Sequence, residues 1–339
     1  MAIATSYNVT SVKGARENLE NVLKTVSPHE TPLFATLSQS AAPKATLNEW
    51  LVDSLASPEI GGVVDGVDLT ISDAQNLIDT RARLGNRVQT VRDIFSVSRQ
   101  AEMIDVAPGG SLFAASKAKS LIQLKNSIET AIGSGNDQSA GTSSAGAKMC
   151  GLGIWSDPTA TGNTFDTSLK QGFRAVSGSR VSLASLTESA FRGLLQEVFT
   201  AAGSKGTYNL FAGPAVMNQI TDYTRSTTAN GNFSFDQDVS GKTLVRSILT
   251  YVSDYSTINI IPDLFLGRVD GSASGTDTVE GTVNTDRAYL IPDDDTVSIK
   301  FLEGITVQDL PDNGAGKRAF SETMLTLRVS NPRALGSIV

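Results

Sequence analysis

Apolar positions along the chain change period several times, and each change marks an element. Between Leu112 and Ile132, the residues Ala118, Leu121, Ile122, Lys125, Ile128 and Ile132 recur at helical spacing, while Lys117, Lys119, Gln123 and Asn126 take the other side. This predicts an amphipathic helix of about six turns. Ser111 caps it after Pro108-Gly109-Gly110, and Gly133 and Gly135 close it. A second helix is predicted from Ser185, where Ser185-Leu186-Thr187-Glu188 has the spacing of a capping box. Phe191, Leu194, Leu195, Val198, Phe199 and Ala202 then form one stripe, ended by Gly203. Ala15 to Val26 is also helix-like, but Ser27-Pro28 and Thr31-Pro32 follow, and each proline turns its predecessor toward extended backbone. Residues 1–58 therefore read as an arm with a turn in it rather than as core.

Alternation takes over between Asp79 and Val91. Ile78, Ala82 and Leu84 fall on one side and Asp79, Arg81 and Arg83 on the other, the pattern of a strand with one polar face. With the Gly- and Asp-rich run from Pro58 to Asp68 before it, the stretch 59–100 reads as a long hairpin-like excursion. The stretch after Ile132 is rich in Gly, Ser and Thr as far as Asn163. Loops of that length are usually functional, mobile or packed against another chain. Tyr208 to Ala212 predicts a buried strand, and Gly213-Pro214 opens a short helix through Tyr223. Val245 to Val252, Ile258 to Ile261, Arg287 to Ile291, Thr296 to Leu302 and Glu322 to Val329 predict further strands. The sum is an α+β chain with two bodies and two excursions, without internal repeats.

Composition narrows the function classes. A chain of 339 residues with 40% hydrophobic content buries a sizeable core without disulfides or metals. Its one cysteine, Cys150, has no intrachain partner, and the first residues lack the basic-then-apolar layout of a secretory signal, so synthesis in a reducing cytoplasm is expected. Apolar runs such as Ser247 to Val252 are far shorter than the roughly 20 residues of a membrane span. The 28 Lys+Arg against 35 Asp+Glu give a net charge of −7, and no basic block stands out. The electrostatic footprint of a sequence-specific nucleic-acid binder is missing.

Candidate chemistry is sparse. His29, the only histidine, stands between two prolines with Glu30 adjacent, a turn residue on the arm that no second imidazole joins in a zinc site. The run Asp236 to Thr243 ends in the Gly-Lys-Thr of a phosphate loop, but Asp236 occupies the place of its first glycine and would repel phosphate. Cys150, between Met149 and Gly151, reads as a small packed side chain. Asp293-Asp294-Asp295 reads as a solvated turn or as a face for arginines of another subunit. Arg81, Arg83, Arg87 and Arg92 are candidates for that role, or form an ordinary charged sheet face. No catalytic residue, cofactor or metal is expected.

Three blocks carry a resemblance. They are ENLENVLKTVSPHETPLFATL with NEWLVDSLA near the start, NRVQTVRDIFSVSRQAEMIDVA leading into LFAASKAKSLIQLKNSIETAIGSG, and FLEGITVQDLPDNGAGKRAFSETMLTLRVSNPRALGSIV at the end. In this order they resemble tailed-phage major capsid proteins of the HK97-type fold, and more narrowly the head proteins typified by SU10. The resemblance implies an N-terminal arm (1–58), an extended loop (59–109), a peripheral domain on a long spine helix (110–178), an axial domain (179–302) and a return to the peripheral domain (303–339). It implies hexamers and pentamers closing an icosahedral shell around double-stranded DNA, with a portal and separate scaffolding or decoration proteins as partners and no membrane. The virion capsid, assembled in the host cytoplasm, is the implied location. Arm and loop bury too little surface to stand alone, so they are expected to lie on sister subunits. Trp50 is expected to anchor the arm, and Ile78, Ala82, Leu84 and Val88 to contact an adjacent capsomer alongside Arg81, Arg83 and Arg87. The acid excess between Asp254 and Asp312 is expected to face outward or into subunit contacts, away from DNA. Lys-to-Asn crosslinking from the loop, known in one branch of the fold, is not expected, because no lysine lies between Lys44 and Lys117. A bacterial encapsulin shell, or a soluble hydrolase using His29, are the alternatives.

Overall fold

The computed structural model describes residues 30–55, 58, 60–62, 64–66, 81–104, 110–203, 206–222, 249–267, 286–311 and 316–339. The helix-like stretch Ala15 to Val26, His29, Ile78 and the run Asp236 to Thr243 lie outside these residues.

Two sheets organise the chain. The first has four strands: β1 (Ser38–Ser40), β4 (Gln89–Ser98), β10 (Val297–Leu310) and β11 (Gly316–Val329), in the order β1-β10-β11-β4. β10 and β11 form a long antiparallel ribbon with β4 on its far side, and β1 adds to it in parallel. The register of the ribbon shifts between Phe301 and Thr306. Such a bulge lets one strand bend while pairing resumes beyond it. The helix α3 (Leu112–Ile132) lies on this sheet, with Ser120 Oγ 2.6 Å from Ser321 Oγ and the rings of Phe95 and Phe113 5.4 Å apart. The bounds of α3 agree with the sequence reading, and Ser111 Oγ accepts from the N–H of Ala114 as expected. Its buried stripe differs: Ser120, Leu124, Ile128, Glu129 and Ile132 point inward, while Ala118, Ile122 and Lys125 are exposed. Two polar residues turn inward because distant partners satisfy them, and that rotates the inner face away from the one apolar spacing marks.

The second sheet has six strands in the order β5-β12-β9-β6-β8-β7. These are β5 (Arg180–Val181), β6 (Thr207–Ala212), β7 (Thr250–Val252), β8 (Thr257–Pro262), β9 (Ala288–Pro292) and β12 (Gly336–Ile338). Central β6 is buried on both faces, which is why it reads as a run with little polarity. Leu210 and Ala212 of β6 and Ala288 and Leu290 of β9 pack with α6 (Glu188–Ala202) and α7 (Pro214–Asp222). Phe211, Tyr289 and Ile291 point the other way, into the core shared with α3. Thr187, not Ser185, caps α6, and Gly203 ends it in the left-handed region at φ 70°. Only glycine occupies that region without steric cost.

The expected boundary at residue 302 falls inside β10, which runs on to Leu310, and the final segment supplies β11 to the first sheet and β12 to the second. The Gly- and Ser-rich stretch after α3 is not a surface loop throughout. Met149, Cys150, Leu152 and Trp155 from it are buried in the shared core, the last two in the short helix α4 (Leu152–Trp155). Burial pushes the Cys150 thiol well above its usual range, consistent with a packed side chain.

Candidate assembly surface

The arm enters the described residues at Glu30 and is tied down within a few positions. Thr31-Pro32 starts the one-turn helix α1 (Pro32–Thr36), and Leu33 drops fully into the core. The free N–H groups of Leu33 and Phe34 donate to Oε1 and Oε2 of Glu129 at 2.6 and 2.7 Å. Glu129 is buried on the inner side of α3 and shares a hydrogen bond with Asp263, whose Oδ1 accepts from the N–H of Phe265. Burial first, and then the charge of Asp263, push the Glu129 carboxyl up to about 8, against the pull of the two amides. The arm, α3 and the turn after β8 thus meet at one carboxyl pair. Phe34 then packs edge-on against Phe301 at 6.2 Å, and Ser40 Oγ meets Ser298 Oγ at 3.1 Å where β1 joins β10.

The arm continues as β2 (Leu47–Val52), which pairs antiparallel with β3 (Ala82–Arg87). The alternating strand of the excursion therefore exists, but its partner is the arm. Ala82, Leu84 and Val88, expected against a neighbouring capsomer, are buried within their own chain. Ala82 and Leu84 on the apolar side of β3 join Trp155 and Phe165 in the shared core, and Val88 just beyond β3 is buried too, so the three side chains leave little surface for another subunit. Trp50 sits opposite Leu84 and lies 5.7 Å from Trp155, which in turn meets Phe165 edge-on at 5.5 Å. Trp50 thus fixes the arm to its own body through an aromatic cluster.

A buried asparagine completes this seat. Asn86 Nδ2 donates to the carbonyls of Cys150 and Leu327 at 3.1 and 2.8 Å, and its Oδ1 accepts from the N–H groups of Cys150 and Arg87. Nothing in the apolar spacing marks this residue, since its partners come from two distant segments.

The arginines of the excursion find acids in the same chain. Arg81 pairs with Asp53 at 3.0 Å, Arg83 with Glu49 at 3.6 Å and Arg92 with Glu322. Arg87 is half-buried opposite Leu47. The turn Asp293-Asp294-Asp295 joins β9 to β10, far from these arginines in sequence. Asp293 accepts from Asn209 Nδ2, Asp294 accepts from the N–H of Thr296, and all three acids are exposed.

Beside these charges, the described residues of the arm and excursion also hold large apolar side chains open to solvent. Leu51 is 67% exposed, Leu55 97%, Ile60 101% and Val64 73%, and Ile94, Met103 and Ile104 stand open farther along the same stretch. Such a concentration in one segment marks a surface meant to be covered.

The family model described as SU10 major capsid protein matches residues 3–339. The chain belongs to the SU10 major capsid protein family. It is a major capsid protein of phage heads, and its mixed helices and sheets have the HK97-type fold of phage capsid structures. Among solved structures, the capsid of the empty GTA particle is similar at a TM-score of 0.61 and 11% identity, covering 99% of each chain. The mature capsid of bacteriophage PhiM1 is similar at 0.60 and 13%, covering 96% of this chain and 91% of that one. An encapsulin from Synechococcus elongatus PCC 7942 is similar at 0.50 and 11%, covering 96% and 91%. At such identities these likenesses speak for the fold. No curated protein matches the sequence. As a major capsid protein, the SU10-family chain is a subunit of a self-associated capsid shell.

Proposed function

We propose that copies of this chain form hexamers and pentamers that close an icosahedral head around packaged double-stranded DNA, assembled in the host cytoplasm with a portal and a separate scaffolding protein. The chain acts through its surfaces and carries no catalytic step. The observation that supports this most is the run of exposed apolar residues Leu51, Leu55, Ile60 and Val64 on a segment that, among the described residues, is tied down by the short β2–β3 ladder. A two-stranded ladder is marginal alone, and covering those residues with a neighbour would remove apolar surface at every subunit contact. Many such modest contacts add up through multivalency to a shell that rarely loses a subunit. The excursion then works as a strap, with Arg81 and Arg83 on its polar side and the exposed acidic 293–295 turn between β9 and β10 as surfaces for further subunits.

The test is microscopy of particles from infected or expressing cells, with the wild-type chain and with residues 60–80 replaced by a short Gly-Ser linker. DNA-filled heads with a portal vertex are expected from the first, and unassembled capsomers from the second. Wild-type cages that hold enzyme cargo and no DNA would favour the encapsulin reading. Normal heads from the linker variant would end the strap proposal.

A further inference from the structure

Two guanidiniums converge on one cleft of this chain. The cleft has a volume of about 460 Å³ and lies between the loops around the one-turn helix α5 (Ser168–Gln171), the C-terminal half of α6 and the segment before β12. Arg174 and Arg333 line it, with the hydroxyls of Thr159, Ser177 and Thr200 beside them. Both arginines are fixed by their own chain. Arg174 Nε donates to the carbonyl of Gln171 at 3.1 Å, and its Nη1 to that of Ala160 at 2.8 Å. Arg333 Nη2 donates to the carbonyl of Gly172, and its guanidinium lies over the ring of Phe173 at 5.6 Å. A guanidinium carries five N–H donors, so each keeps donors beyond these bonds.

Among the described residues, neither arginine forms an ion pair. The acids around the cleft are engaged elsewhere: Asp157 meets Arg180 and Thr159, and Asp166 meets Lys170. Glu197 also lines the cleft, its stem lying over Gly178, and pairs with neither guanidinium. Two positive charges therefore stand against one negative, in a chain whose net charge is −7.

Exposed acids without ion-pair partners among the described residues sit on the turn between β9 and β10, at Asp293, Asp294 and Asp295. This turn is stiff. The N–H of Asp293 donates to the carbonyl of Thr207, Asp293 Oδ1 accepts from Asn209 Nδ2, and Asp294 Oδ1 accepts from the N–H of Thr296. A preformed turn loses little freedom on docking. The arginines that sequence spacing nominates for it, Arg81, Arg83 and Arg92, are taken by acids of their own chain. A groove at α2 (Arg99–Met103) also holds two cations, Arg99 and Lys317, but it contains its own acid, Glu102, and the apolar side chains of Val97 and Met103.

We infer that the acidic turn of one copy inserts into the Arg174–Arg333 cleft of a second copy. The inference rests on the shell reading above and identifies both sides of one subunit contact. Guanidinium forks meet carboxylates through paired, charge-assisted hydrogen bonds, and Pro158, Ala175 and Val176 give the cleft walls of low polarity against which such bonds strengthen. Opposite charge also selects register, because a misplaced copy sets acids against acids. Each contact is modest, and a shell repeats it in every subunit.

Cysteine trapping tests the geometry. S177C and D294C chains are expressed together; both positions are exposed, and Cys150 is fully buried. Mild oxidation of the assembled shells should give linked dimers on a non-reducing gel, and neither chain expressed alone should give them. Charge reversal tests the energetics. R174E/R333E and D294R/D295R should each lower shell yield several-fold while melting of isolated subunits holds, and both sets in one chain should recover most of the yield. R174K/R333K, which keeps the charge and loses the fork, should fall in between. Shells of the mixed cysteine chains without linked dimers would overturn the inference and leave the shell itself in place. So would an S177C/D294C chain that closes its disulfide internally, or folded reversal variants whose combination assembles no better than the weaker set. If R174E/R333E fails to fold, the trapping result decides. Wild-type protein that stays monomeric would instead remove the underlying shell reading.

Discussion

Both oxygens of the Glu129 carboxyl are taken up by the arm, through the N–H groups of Leu33 and Phe34 at 2.6 and 2.7 Å. The spine helix therefore holds the arm by a polar clamp set in an apolar core, with Asp263 as the second acid behind it. Removing one member of a buried pair strands the others, which costs more than the pair contributes in net terms. Glu129→Ala is expected to destabilise the subunit by about 3 kcal/mol and to speed proteolysis in the arm, read by chemical denaturation of capsomers and by limited digestion.

The same pair makes stability depend on pH. Glu129 has an ordinary value of 4.5 when free and holds its proton to about 8 in the folded chain. Between those values the folded state binds the extra proton, so stability falls as pH rises across that window and levels off above it. Asp263→Asn removes the neighbouring charge and should flatten the slope in part, leaving the share due to burial. A wild-type stability curve that rises from pH 5 to pH 8 at the arm, followed by hydrogen exchange of Leu33 and Phe34, would contradict this assignment.

Leu84 and Arg83 are adjacent on β3 yet should fail differently. Leu84 is buried beneath the β2–β3 ladder, so Leu84→Ala leaves a cavity and is expected to cost about 3 kcal/mol of subunit stability. Arg83 and Arg81 are exposed ion-pair partners, and Ala at either should cost under about 1 kcal/mol. If the arginines serve a neighbouring subunit, their substitution will lower shell yield with capsomer melting unchanged.

Asn86 satisfies all four of its hydrogen bonds inside the core. Asn86→Ala orphans the N–H of Cys150 together with two carbonyls and should destabilise by about 2 kcal/mol or more. Asn86→Asp, which loses the two donated bonds and adds a buried charge, should be worse. Thermal melting of the two variants side by side gives the order.

The exposed apolar residues of the strap should separate folding from assembly. Leu55→Asp and Ile60→Asp add charge at positions already in solvent, so melting of isolated capsomers should not move. Shell yield by sedimentation should fall at least several-fold, because a neighbour must now desolvate a carboxylate.

Local chemistry made much of this legible in the sequence. Ser111 and Gly133 bracket α3, Gly203 ends α6, and the low polarity of Tyr208 to Ala212 marks a strand buried on both faces. The inward face of α3 is legible only in part, at Ile128 and Ile132. Ser120 and Glu129 count as outward residues by hydropathy and are drawn in by Ser321 and by Leu33 of the arm, 201 and 96 positions away. The same holds for β3: alternation gives the strand and its inner side, Ala82 and Leu84, but pairing with β2 is a tertiary fact. Alternation marks that inner side without saying whether its own body or a neighbour covers it. Distant partners also explain why nothing local marks Asn86.

The bond from Asn86 to the carbonyl of Leu327 spans 241 positions of sequence. Closing so large a loop is slow, and topologies dominated by such pairings fold late. Until the ribbon carrying Leu327 is laid down, the root of the strap has no seat. A newborn chain therefore cannot offer a correctly held strap before its body is finished, and the order of events in building a head is written into the topology of one subunit.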